Sequence, residues 1–142
     1  MTGSHGGVSK PVKSIRAKRI LRVVLAVTMI AVGLQHFSHP EPFESIVPNY
    51  LPAHHALVLI SGFFEIAGGA GLLLPPVRRL AALGLIALYI AVFPANINMA
   101  FHAARFSNIA PLFLWLRLPL QLVLIAWAAW LAQRDEYGKA PG

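Results

Sequence analysis

The 142-residue chain has room for one domain, and its composition, 57% apolar and 12% charged, excludes water as the main solvent, since a water-soluble domain carries roughly twice that share of charge. The net charge of +7 does not mark a nucleic-acid binder: six of the twelve basic residues, Lys10, Lys13, Arg16, Lys18, Arg19 and Arg22, form one block that lacks interleaved aromatics and runs straight into an apolar segment. The absence of cysteine excludes disulfides, thiol redox chemistry, cysteine-ligated iron–sulfur clusters and covalent c-type haem.

Residues 1–14, rich in Gly, Ser and Lys and without apolar periodicity, read as a disordered basic cytoplasmic tail that meets anionic lipid head groups. The first apolar run covers about 20–37, close to the roughly 20 residues that cross a hydrocarbon core. A cleaved signal peptide would share this pattern, but no clear A-x-A site follows. Residues 38–53 hold Pro40, Pro42, Pro48 and Pro52 and must be a loop. Within it Phe43, Ile46, Val47 and Tyr50 keep helical spacing, which predicts a short amphipathic turn at the membrane surface, either a plain connector or a lid.

A second span over about 54–74 is stopped by Pro75-Pro76. The third covers about 79–104, with Pro94 expected to bend it, and the fourth about 109–132, with Trp115, Trp127 and Trp130 near its two ends, where tryptophan suits the interfaces. The fold class is therefore an all-α bundle of four transmembrane helices over 15–134, followed by a C-terminal tail, 135–142. With both termini cytoplasmic, ten Lys and Arg lie inside and only Arg105 outside, the bias expected of an even number of spans.

Polar side chains within hydrocarbon need a partner or a role. Glu65 lies about eleven residues into the second span, or roughly 16 Å deep, with Ser61, Gly62, Gly68 and Gly69 at three- and four-residue offsets, so it faces the bundle interior. Arg117 lies about eight residues into the fourth span, with Gln121 one turn further on. The third span offers Asn96, Asn98 and His102, and the first ends on Gln35 and His36. Asn96 and Asn98 point about 200° apart on an ideal helix, so one of them has a structural task unless Pro94 distorts the backbone. Two readings stand open: a Glu65–Arg117 ion pair that fixes helix register, or an outward-opening polar pocket for a proton, a quinone head group or another small polar ligand.

No metal site is expected, since His54 and His55 point apart on a helix and no H-x-x-x-H pattern occurs. Bis-histidine haem on His36 and His102 is conceivable by depth, with nothing else marking a haem pocket. There is no P-loop, dinucleotide fingerprint or G-x-S-x-G, so a nucleotide or soluble redox cofactor would belong to a partner.

The stretches GLQHFSHPEPFESIVPNYLP, SGFFEIAGGAGLLLPPVRRLAALGL, FPANINMA and RLPLQ, in that order and spacing over residues 30–125, resemble the DoxX family of small bacterial membrane proteins. The resemblance implies a multi-pass protein of the bacterial plasma membrane. It places His36, Glu65, Asn96, Arg117 and Gln121 at the family's polar motif positions. Some members are membrane subunits of quinone-linked oxidoreductases or oxidases, and distant four-helix relatives act as membrane chaperones, so the fold alone does not fix the activity. The leading expectation is a redox-associated membrane subunit, working with a redox partner subunit or as a homo-oligomer, with no certain cofactor and a quinone as the candidate. Glu65 and Arg117 would be its catalytic groups, and His36, Asn96, Asn98 and Gln121 its ligand-binding ones. The alternative is a non-catalytic assembly or interaction protein whose polar core only holds the bundle together. A small transporter is a third reading, for which four spans give little room and no inverted repeat is visible.

Overall fold

The computed structural model describes residues 12–133, which are all-helical; the expectations for the two tails fall largely outside them, as do Lys10, Arg134 and Lys139 of the charge count. The elements are α1 (Val12–Ser38), a one-turn α2 (Glu41–Glu44), α3 (His54–Leu73), α4 (Arg78–Phe101) and α5 (Pro111–Ala132), with 3₁₀ turns at Pro75–Val77 and Ala103–Arg105. Four stretches are long and apolar enough to cross a membrane: Ser14–Ser38, His54–Leu73, Pro75–Phe101 and Pro111–Ala132. Their number and order are those read from the sequence. The first helix starts at Val12, ahead of the expected span, and so takes in Arg16, Lys18 and Arg19. Lys, Arg, Ala and Ile are adequate helix formers, and the stretch holds neither Gly nor Pro, so nothing ends the helix where the apolar run stops.

Local chemistry sets the ends. Leu74 leaves the helical conformation before Pro75-Pro76, and the Arg78 guanidinium reaches back to the Leu72 carbonyl at 3.2 Å, occupying one of the carbonyls orphaned at the end of α3. At the other end of α3, Ala53 takes a left-handed conformation, φ 55°, which costs a non-glycine residue roughly 1–2 kcal/mol. Pro94 in α4 and Pro119 in α5 each remove one backbone hydrogen bond, yet both helices run through.

Packing divides the bundle into two halves. In one, Leu25 and Met29 of α1, Leu72 of α3, Leu85 and Tyr89 of α4 and Leu131 of α5 form a buried core. Large apolar side chains outside it stay exposed, among them Ile20, Leu80, Phe101 and Leu112, each more than 60% accessible. Such a surface suits hydrocarbon, where close packing and interhelical hydrogen bonds, and not expulsion of water, hold helices together. The closest approach joins α1 and α3. A Cβ added at Gly33 would lie 2.7 Å from the Gly62 carbonyl oxygen, one at Gly62 would lie 2.6 Å from His36 Cβ, and one at Gly69 would lie 2.7 Å from the Ala26 carbonyl oxygen. Gly68 and Gly71 give α4 a similar seat, against Leu85 and Ala81.

Candidate functional site

The glycine contacts decide how far each helix reaches. His36 lies beside Gly62, and α1 ends two residues later, at Ser38. The first six or so residues of α3 therefore extend about 9 Å beyond the end of α1. Residues 39–53 fill part of the gap. Phe43 stacks on the His36 ring, with centroids 3.8 Å apart, and Ile46, Val47 and Leu51 line the space beneath the loop. The predicted amphipathic turn is present as α2, and its apolar positions Phe43, Ile46 and Val47 cover a cavity while Tyr50 is exposed. Two polar contacts hold the loop down: Asn98 Nδ2 donates to the Ile46 carbonyl at 2.9 Å, and His55 Nδ1 lies 2.5 Å from Glu44 Oε1.

The cavity, about 620 Å³, lies between α3 and α4 and is mostly apolar. Volumes of roughly 300–1,000 Å³ are usual for sites that take small organic ligands. Five of its lining side chains are polar or charged: His36, Ser61, Glu65, Asn96 and Arg117, with Ser61 already donating to the Val58 carbonyl of its own helix at 2.8 Å.

Glu65 is 9% exposed, and its Oε2 lies 3.2 Å from His36 Nδ1. That nitrogen also lies 3.0 Å from the Val32 carbonyl, one turn back in α1. A proton on Nδ1 is donated to Val32, and Glu65 Oε2 remains buried without a hydrogen-bond donor. An acceptor left unpaired at such depth costs roughly 1–3 kcal/mol, more if it is charged. A ligand bearing an O–H or N–H would relieve that cost.

Arg117 corrects one of the two sequence readings. Among the described residues no ion pair joins it to Glu65, whose charged-type neighbour is His36; Arg117 is exposed on the cavity wall and has no hydrogen-bond or ion-pair partner there. A Glu65–Arg117 pair that fixes register is thus absent. Helix register is held by a different group. Asn96 Nδ2 donates to Gln121 Oε1 at 2.5 Å, Gln121 Nε2 donates to the Tyr89 carbonyl, and the Tyr89 hydroxyl reaches Met29 Sδ at 2.9 Å. This chain of contacts ties α5 to α4 and α4 to α1. Gln121 is 4% exposed, does not line the cavity and spends both ends of its amide on protein.

The two asparagines separate as their spacing requires: Asn96 lines the cavity, and Asn98 points elsewhere to hold the loop. Of the two histidines conceivable for haem, His36 lines the cavity and His102 is exposed just past the end of α4, its ring bonded to the Asn98 carbonyl one turn back. Among the described residues no group of three or more His, Cys, Asp or Glu is placed to hold a metal ion. The cavity wall contributed by α4, with Gly84, Ala87 and Ala91, was not singled out from the sequence; small residues at helical spacing were the available signal.

Fold and site together define a four-helix bundle with a membrane-type exterior and an apolar cavity that holds a few convergent polar groups. Residues 25–132 match the profile of a family described as a domain of unknown function (DUF8561), and the chain belongs to that family. No curated protein and no solved structure matches the chain.

The division of the polar groups is measurable. Gln121→Leu strands the Asn96 amide and should cost about 1–2 kcal/mol, whereas Arg117→Gln should change stability by less than about 0.5 kcal/mol. Thermal unfolding of the two variants in the same mild detergent checks this, and a larger loss at Arg117 would contradict the assignment.

Proposed function

We propose that this protein is a multi-pass component of the bacterial plasma membrane whose cavity binds a quinone or quinol, and that it serves as a membrane subunit of a redox system. One observation carries the reading: a mostly apolar cavity of ligand size holds a buried acceptor that receives no hydrogen bond, Glu65 Oε2, 3.2 Å from His36 Nδ1, and the Arg117 guanidinium, which has no partner among the described residues. A quinol hydroxyl would donate to Glu65, and a quinone carbonyl would accept from Arg117. The ring would lie among apolar side chains such as Phe64 and Val58. The resemblance to DoxX proteins supports the same ligand class. In this account the chain positions the ring and exchanges its proton through Glu65, and electrons pass to or from a redox-carrying partner subunit.

A second reading, an assembly protein with a structural polar core, draws support from the Asn96–Gln121–Tyr89 contacts and the Asn98–Ile46 bond, which serve only the bundle. Titration of the purified protein with a benzoquinone probe separates the two. The redox reading predicts saturable binding, weakened about tenfold or more in Glu65→Gln and in Arg117→Ala. A folded protein that binds none of the probe would favour the assembly role.

The excess of Lys and Arg in the N-terminal block, at Arg78-Arg79 and at the C-terminus supports cytoplasmic termini. Because the chain has no cysteine, single introduced thiols report orientation cleanly. In intact spheroplasts a membrane-impermeant maleimide should label Ser45→Cys and spare Ser14→Cys. The reverse pattern would overturn the topology.

A further inference from the structure

Gly84 is unlike the other glycines of the bundle: a Cβ built there meets nothing within 4 Å, whereas those built at Gly33, Gly62, Gly68, Gly69 and Gly71 all collide with a neighbouring helix. Close packing therefore does not account for glycine at this position. Its place in the fold is informative. Gly68 of α3 packs on Leu85, so Gly84 lies near the level of Gly68, about one turn or roughly 5 Å inward of Glu65. Asn96, at the other end of the cavity wall, is twelve residues further along α4, or about 18 Å. The cavity is thus a long slot. Its polar groups lie at Glu65 and outward of it, and its inner end is bare.

The slot is also open along one side. Gly84, Ala87 and Ala91 on α4 and Ile60 and Phe64 on α3 line it and are all exposed, so the gap between the two helices faces the surroundings of the bundle, which for a membrane protein is hydrocarbon. We infer that this gap is the portal through which the ligand enters from the bilayer, and that the bare inner end at Gly84 takes the ligand's apolar chain while its polar ring meets Glu65 and Arg117. The inference rests on the cavity being a ligand site and adds the chemical class: a ring carrying one long apolar chain.

Size and chemistry argue for a chain over other occupants. A helix from a second copy is about 10 Å across, and 18 Å of it would need more than twice the 620 Å³ available. A ligand without a chain would leave the wall at Gly84 and Ala87 to passing lipid acyl chains, whereas a chain tethered to the bound ring holds those dispersion contacts in place. The small side chains on α4 leave that space open.

The test compares two probes, a dimethoxymethylbenzoquinone ring with and without a decyl chain, titrated against wild type and Gly84→Leu in one detergent, with each probe's micelle partitioning measured separately and the same for both proteins. In wild type the chain should tighten binding about tenfold or more. Gly84→Leu should remove most of that gain, leave the bare ring's affinity unchanged and melt within about 3 °C of wild type, because the new side chain enters open space. Ala87→Leu, on the same exposed wall one turn from Gly84, should act in the same direction and serves if Gly84→Leu does not fold. A gain from the chain that survives both substitutions overturns the portal while leaving the ring site standing, as does equal loss of ring and chain binding. Failure of both probes to bind folded wild type removes the site itself, and the portal with it.

Discussion

The approach of α1 to α3 through Gly33 and Gly62 governs the rest of this bundle. Backbone meets side chain and carbonyl there with no room for a Cβ, and the same contact puts His36 against Glu65. Because α1 ends two residues after His36, the outer turns of α3 lose their neighbour, and the loop over 39–53 must fold back to cover them. The cavity is what that loop and α4 do not fill. The tight contact and the unfilled slot beside it thus have one geometric cause.

The polar groups within the spans fall into two sets that differ in what they have already bonded. Asn96, Gln121 and Tyr89 use their donors on protein, and Asn98 uses its amide on the loop. Interhelical bonds of this kind contribute about 0.6 kcal/mol each on average in a bilayer, so their value lies in register more than in stability. Glu65 and Arg117 differ: among the described residues one presents a buried oxygen that receives no hydrogen bond, the other a guanidinium without an acceptor, both on the same cavity. An arrangement selected only for stability would have paired them or replaced them with apolar residues, since a buried pair commonly gains little over a well-packed apolar core.

Much of this was legible in the residues themselves. Four apolar runs broken by Pro75-Pro76 and by the proline-rich 38–53 segment gave four long helices, because a run of about 20 apolar residues has few other options and proline interrupts it locally. The inward facing of Glu65 followed from the small residues at helical offsets around it, and the divergence of Asn96 from Asn98 from the 100° step of the helix. The choice of partner was not legible. Depth alone made Arg117 as good a neighbour for Glu65 as His36, and only the glycine crossing of α1 on α3 decides between them. Gly84 escaped notice for a related reason: a glycine that faces open space and one that seats a helix look the same in a sequence.

The central claim is that the slot holds a small amphiphile whose polar end is read by Glu65. Native mass spectrometry of the protein released from its own membranes in mild detergent tests it most directly. Wild type should emerge with a bound small molecule of quinone class, and Glu65→Leu should emerge folded without it. A wild-type protein that is folded and empty, or the same adduct retained equally by Glu65→Leu, would contradict the account.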